Sequence, residues 1–468
     1  MSDFPHLFLL VPWLTLGGAD KFNLDLVAQL TRRHSWHITI VTTKIGDNSW
    51  RALFAPHVAA IVALPETAAP DRFPAIIAET IRSRGVTHAL ITHSQLGYLA
   101  LPFLRAHCPG VVFADYVHIE EHGWRDGGYA RDSVEYATYL DTTFVSSEHL
   151  RRWLIERQFE TRRPGDPTTR RPDDPQNRSD EDRISVCTTN IDATQWDPRR
   201  HDRAAIRASL GIDQYMPVIL FSARLHEQKR PLLLLEIALR LEAAGHRFVC
   251  LVAGDGPERP AMERFIADHA LASVRLLGAQ PNARIAELLA AADCFLLPSA
   301  NEGIALALFE AMAMALPAVA ADVGGQRELL TPACGTLIPL DGDQADQYVA
   351  AIAPLLTDAT LRRAQGEAGR TRIVAHFQLD QMGDRMDALL RAARPLPLER
   401  LPNRAAARAS QRAAIALAAD ELRVARGSHR SLVTIARPLY HALTRNPASP
   451  LARLTLAARR FITRFLVR

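Results

Sequence analysis

The sequence predicts an α/β protein of two Rossmann-like, doubly wound domains facing across a cleft, with an extra helical, basic C-terminal tail. Three observations predict it. Short apolar runs alternate with longer segments of helical period, the pattern of a parallel sheet covered by helices on both faces. The alternation runs through the first half of the chain and starts again in the second. With 468 residues, 48% of them apolar and 23% charged, the chain can bury more than one core of the usual ~100–200 residues. That composition excludes disordered, collagen-like and disulfide-scaffold proteins.

In the first half, Leu7–Val11, His37–Thr42, His88–Thr92, Val111–Tyr116 and Thr142–Ser146 read as strands. Helices are expected near Ala19–Arg32, Phe73–Arg84 and Leu99–His107. From Thr161 to Arg183 six Arg face six acids with no apolar residue except Pro. Such a segment buries nothing, so 160–183 reads as a mobile insertion. In the second half, Val218–Ser222, Phe248–Ala253, Val274–Leu277, Cys294–Leu297, Ala318–Ala321 and Thr336–Ile338 read as strands, each followed by a helix or a Gly/Pro turn. The expected organisation is an N-terminal domain over 1–195, a C-terminal domain over 196–375, a helix at 376–394 returning to the first domain, and a basic helical tail over 395–468. Ligands of such folds bind outside the carboxyl ends of the strands.

A formal charge of +4 points to no nucleic-acid partner. The charge is uneven, however, because Leu422 to Arg468 holds ten Arg and no acid. From Leu451 on, Leu454, Ala458, Phe461, Ile462, Phe465 and Leu466 recur at helical spacing, apart from most of the Arg. A basic amphipathic helix of this kind suits an anionic membrane surface, or else a packed helix on a domain or partner. Five scattered cysteines with no C-x-x-C pair suggest buried free thiols rather than a disulfide framework or zinc site. The start of the chain lacks the basic region of a signal peptide, and the longest apolar stretch, Ile304–Ala321, contains Glu310 and Pro317. The expected location is therefore cytoplasmic, with peripheral attachment to the inner membrane face through the tail.

Several turns could carry chemistry. Glu302 and Gly303 precede a helix and Glu310 lies within it among apolar neighbours. The helix start could hold a sugar hydroxyl or an anionic group, and a buried carboxylate is satisfied by a ribose diol. The spacing alone fits equally a helix cap at Glu302 and an Arg partner for Glu310. Arg224 and Lys229, five apart after a strand, combine a planar fork with a compact charge, as a diphosphate requires. Gly254 and Gly256 form a turn that lets backbone approach a nucleotide, and Gly17 and Gly18 do the same after the first strand. His118 follows a strand at the cleft edge, in a turn with Glu120, Glu121 and His122.

In order and spacing these features resemble family 4 of the retaining glycosyltransferases, which have the GT-B fold and include the group 1 type. The resemblance spans about residues 7–393 and is most specific from Glu302 to Pro317. It implies that Arg224 and Lys229 bind a nucleotide-diphosphate sugar, that Glu310 holds its ribose, and that Glu302 with Gly303, Ile304 and Ala305 holds the transferred sugar. Gly17, Gly18, Gly254 and Gly256 would approach the donor, and His118 would contact the sugar near the reacting centre. Catalysis would fall to His118, Glu302, Arg224 and Lys229, with no metal and no cofactor beyond the co-substrate. The acceptor would be a hydroxyl of a glycan or lipid-linked carrier. A non-hydrolysing nucleotide-sugar epimerase, or an inactive scaffold or partner subunit at the membrane, shares the same fold. The chain departs from the family at Ala223, Arg230, Ala305 and Ala315, where Gly is common, and at Thr189-Asn190 in place of Asn-Gly. Asn190 is expected to take the positive φ that Gly would supply.

Overall fold

The structure, a computed structural model, describes residues 4–15, 17–46, 48–161, 182–397 and 401–425. The first sheet contains β1 (His6–Val11), β2 (His37–Thr42), β3 (Ala60–Ala63), β4 (His88–Thr92), β5 (Val112–Val117), β6 (Thr142–Val145) and β7 (Ile184–Val186). Its order is β3-β2-β1-β4-β5-β6-β7. The second contains β8 (Val218–Ser222), β9 (Val249–Ala253), β10 (Val274–Gly278), β11 (Cys294–Leu297), β12 (Ala318–Ala321) and β13 (Gly335–Ile338), in the order β10-β9-β8-β11-β12-β13. Every pairing is parallel; Leu9, for example, lies between Ile40 and Leu90. Each sheet reverses its strand order beside its first strand, and the crevice for a ligand opens at such switch points.

Alternate residues of β1 explain why the sheet needs helices on both faces. Leu7, Leu9 and Val11 pack with Phe22, Leu26 and Leu30 of the helix Gly18–His34. Phe8 and Leu10 pack on the opposite side with Leu101 and Leu104 of the helix Gln95–His107. Burying each such side chain contributes roughly 1.5–3 kcal/mol. The outer strands β3 and β7 were not anticipated, because four and three residues at a sheet edge are too short to show a period.

Pro102 lies inside the helix Gln95–His107. At this break the Ser410 hydroxyl accepts from Phe103 N at 3.1 Å and donates to Leu99 O at 2.6 Å. Ser410 thus bridges a donor and an acceptor that an unbroken helix would pair directly. It belongs to the helix Arg404–Ala425, the described part of the expected tail, which packs across the first domain and is also held by a Lys44–Glu421 ion pair of 2.8 Å. Residues 426–468, with the basic amphipathic segment, and 162–181, most of the expected insertion, lie outside the described residues.

The chain crosses back to the first domain after the second sheet. The helix Leu379–Ala392 packs on the helix Gly18–His34, with Trp36 Nε1 donating to Asp387 at 2.7 Å and Arg33 pairing with Asp384 at 3.1 Å. All five cysteines are free and buried. No helix among the described residues is long and apolar enough to cross a membrane.

One polar contact inside the first domain has a measurable weight. Arg105 and Asp141 form an ion pair of 2.5 Å with side chains 1% and 0% exposed, and Asp141 also accepts from Phe113 N at 2.6 Å. Removing one partner strands the other charge in a dry site. Asp141→Ala is therefore expected to destabilise the protein by about 3–5 kcal/mol. Urea unfolding checks this, and a loss below about 1 kcal/mol would show that the pair contributes little.

Candidate active site

Strand ends from both sheets supply the walls of one deep cleft. Gly17 and Gly18 follow β1, His118 follows β5, Arg224 and Lys229 follow β8, Gly254 follows β9, and Glu302 to Ala305 follow β11; all of them line the cleft, as does Glu310. The spacing of the sequence therefore translates into convergence, because parallel strands direct all of these turns to the same edge. Gly256 alone of the predicted residues does not line it. A Cβ at Gly256 would lie 2.4 Å from Leu225 O, so its small size serves packing between two turns. Gly254 has that constraint too, since a Cβ there would lie 1.9 Å from Ala223 O, and yet it faces the cleft. A Cβ at Gly18 would meet nothing within 4 Å, which leaves open space against the backbone.

The two cation-bearing and carboxylate-bearing turns are bolted together. Gln228 Nε2 donates to Asn301 O at 2.9 Å and Ala300 N donates to Gln228 O at 2.8 Å. Lys229 Nζ then meets Glu302 Oε1 at 2.5 Å, so the buried Glu302 is satisfied by a cation rather than acting as a helix cap. Arg224 has no ion-pair partner within 4 Å among the described residues, and its side chain is exposed to the cleft. The helix Leu306–Ala313 starts at Ala305 without a side-chain cap, leaving its first N–H groups available to a ligand. Among the described residues no Arg forms an ion pair with Glu310. Burial pushes its carboxyl up to about 8, against the attraction of Lys21.

His118 lies against the turn that carries Glu302 and Gly303. Its Nε2 is 3.4 Å from Thr92 Oγ1, and burial, then neighbouring His93, hold its imidazole well below the ordinary value. The His118 carbonyl accepts from Ser146 Oγ at 2.7 Å, and a Cβ at Gly303 would fall 2.1 Å from the same oxygen. The two domains therefore touch where the turn after β5 meets the turn after β11. Two further links close this contact: Asn301 Nδ2 donates to Glu120 O at 2.6 Å, and the Glu328 carboxylate accepts from Glu148 N and His149 N, each at 2.8 Å. Those two amides open the helix Glu148–Thr161, so Glu328 caps a helix of the other domain.

Lys21, Trp50, His93, Glu121 and Gln280 also line the cleft and were not singled out as site residues from the sequence. Only Glu121 had a signal, as part of the polar turn after β5. The family-type departures are explained in part. Arg230 and Ala315 adopt φ of 51° and 58°, the left-handed conformation that Gly tolerates without cost. Asn190, in contrast, does not adopt positive φ; its Nδ2 donates to Gln378 O at 2.8 Å and ties the interdomain link to the returning segment.

Two parallel Rossmann-like sheets with a cation-lined cleft between them define the GT-B fold. Residues 202–372 match the family model described as glycosyl transferases group 1, and the second domain is similar to that family. It is 26% identical over 327 residues to a GDP-mannose-dependent monoacylated alpha-(1-6)-phosphatidylinositol monomannoside mannosyltransferase of Corynebacterium glutamicum, covering 68% of this chain and 79% of that one. It is 33% identical over 216 residues to an alpha-maltose-1-phosphate synthase of Mycolicibacterium smegmatis, 42% of this chain and 54% of that one. The chain thus spans about half the length of the latter. In fold it is similar to HepE of Anabaena in complex with UDP, with a TM-score of 0.65, 18% identity, and coverage of 83% and 100%.

Proposed function

We propose that the chain is a retaining, family 4 glycosyltransferase that moves a sugar from a nucleotide-diphosphate donor to a hydroxyl of a glycan or lipid-linked acceptor. The observation that carries the reading is the convergence of Arg224, Lys229 and Glu310 with Gly18 of the opposite domain on one cleft. In this reading the diphosphate displaces Glu302 from Lys229 and engages Arg224. Glu302, so released, and the first N–H groups of the helix Leu306–Ala313 hold the hydroxyls of the donor sugar. As the bond from the anomeric carbon to the phosphate oxygen breaks, negative charge grows on the diphosphate, and the two cations stabilise it without reorganising. The acceptor oxygen bonds to the anomeric carbon on the vacated face, and its proton passes to the departing phosphate oxygen. Charge neutralisation rests on side chains, so the reading assigns no role to a metal. The basic segment 451–468 would bring the enzyme to an anionic membrane face where a lipid-linked acceptor lies.

The names of the relatives support a nucleotide donor, since one is GDP-mannose-dependent and HepE was solved with UDP. They favour transfer over epimerisation. A panel of nucleotide sugars tests the reading: a donor should raise the melting temperature and be turned over with retained anomeric configuration. Neither binding nor transfer by any donor would end it, and nucleotide release with inversion at C2 would point to the epimerase. The pH dependence adds a sharper check. Ribose hydroxyls donate to Glu310, so binding favours its ionised form, whereas the free protein holds the carboxyl protonated until about pH 8. Affinity for the nucleotide sugar should therefore rise as pH approaches 8, up to about tenfold per unit, and level off above it. In Glu310→Gln the slope should vanish.

A further inference from the structure

We propose that the part of the acceptor that enters the cleft is an uncharged sugar or polyol, held by Glu121 and His93 on the wall opposite the donor loop. This rests on the transferase reading and gives it a substrate class. Among the described residues of the first domain that line the cleft, the only Lys or Arg is Lys21. Its ammonium is already taken by Asp25, and it faces Glu310 as well. Glu121 then adds a carboxylate to the same wall. A phosphorylated group reaching this wall would meet a negative field with no open cation to receive it, whereas sugar hydroxyls can donate to a carboxylate.

The loop that presents Glu121 is built to fix it. Glu121 O accepts from Trp124 N at 3.0 Å and Gly127 N at 3.1 Å, and the four residues Arg125, Asp126, Gly127 and Gly128 all have positive φ. A Cβ at Gly128 would lie 2.8 Å from Glu121 Oε2, so the glycine makes room for the carboxylate. Burial raises the Glu121 carboxyl and Arg224, across the cleft, lowers it. Arg125, from the same loop, lowers it as well, and once a diphosphate occupies Arg224 an acceptor hydroxyl can take its place at Glu121.

His93 is held just as firmly. Its φ of 52° is one that a non-glycine residue adopts at a cost of order 1–3 kcal/mol. That conformation stacks its ring on Tyr129 at 4.9 Å and sets it 4.6 Å from the His118 ring. Burial lowers its imidazole to about 4, so it faces the cleft neutral, with one nitrogen donating and one accepting, as a hydroxyl needs. Trp50 lines the same wall and offers an apolar plate for a sugar ring.

The test uses the full chain with saturating nucleoside diphosphate, and glucose, mannose, galactose and myo-inositol as probes, each beside its monophosphate. Melting temperature is read for the wild type, Glu121→Gln and His93→Asn. At least one neutral probe should stabilise the wild type beyond both variants, a difference that cancels the general effect of sugars on stability, while its phosphate should not. The shift produced by the nucleoside diphosphate alone should be the same in His93→Asn as in the wild type and no smaller in Glu121→Gln, where Arg224 loses a competing carboxylate. A wild-type-specific shift from the phosphates but not the neutral sugars, or from neither, overturns the inference while leaving the transferase reading intact. Failure of every nucleoside diphosphate to shift the wild type would instead remove the transferase reading and this inference with it.

Discussion

Arg224→Ala is expected to lower kcat by about 10²–10³-fold, the loss typical of removing one preorganised donor from a developing oxyanion. Lys229→Ala should fall in the same range. The two variants should differ in stability, and the difference identifies their roles. Arg224 has no ion-pair partner among the described residues, so its replacement should leave the stability of the unliganded protein within about 0.5 kcal/mol of wild type. Lys229 is the counter-ion of the buried Glu302 at 2.5 Å, so Lys229→Ala strands that carboxylate and should lower stability as well as rate. Adding Glu302→Gln to Lys229→Ala should then restore stability without restoring kcat. Arg224→Lys keeps the charge but loses the planar fork, and should recover part of the rate only. Steady-state kinetics with a nucleotide-sugar donor, run beside thermal unfolding, reads all of these. A kcat within about threefold of wild type for Arg224→Ala would separate this guanidinium from the chemistry.

Gly303→Ala is expected to cost at least about 10²-fold in kcat while leaving both domains folded. The added Cβ would lie 2.1 Å from the His118 carbonyl oxygen, and backbone atoms on both sides leave no flexible side chain to yield. Relief must come from separating the donor loop from the acceptor wall, and misplacement of about 1 Å between reacting groups costs about 10²-fold. The Asn301 to Glu120 bond and the Glu328 cap on the helix Glu148–Thr161 would lengthen with it. A nucleoside diphosphate should still stabilise the variant, because Arg224, Lys229 and Glu310 belong to the second domain. Small-angle scattering should report a larger radius of gyration than wild type. Unchanged scattering and kcat together would mean that the contact at Gly303 is not part of the active arrangement.

How far the sequence alone reached is visible in particular residues. The strands β1, β2, β4, β8 and β11 could be placed because each is an apolar run bounded by a turn signal, and turns after parallel strands necessarily emerge on one edge. That is why Gly18, Arg224, Lys229 and Glu302 could be placed in turns at strand ends from the sequence, while their meeting in one cleft was what the family resemblance implied. Lys21, Trp50 and His93 could not. Lys21 reads as an ordinary cation of an amphipathic first turn, Trp50 lies between β2 and β3 in a stretch without period, and the left-handed φ of His93 has no marker in its residue type. Arg230 and Ala315 show the reverse case: absence of Gly at those positions was plain, but only the backbone shows that the chain accepts the strained conformation there.

Periodicity and turn residues, both local properties, were sufficient to predict two doubly wound domains and the turns that line the cleft. Pairings across the cleft were decided by tertiary structure alone. Lys229 chooses Glu302, Glu328 caps a helix that begins 180 positions earlier, and Ser410 repairs the helix broken at Pro102. Such contacts depend on how two rigid bodies and a returning C-terminal segment are set against one another, and no local pattern of residues encodes that distance.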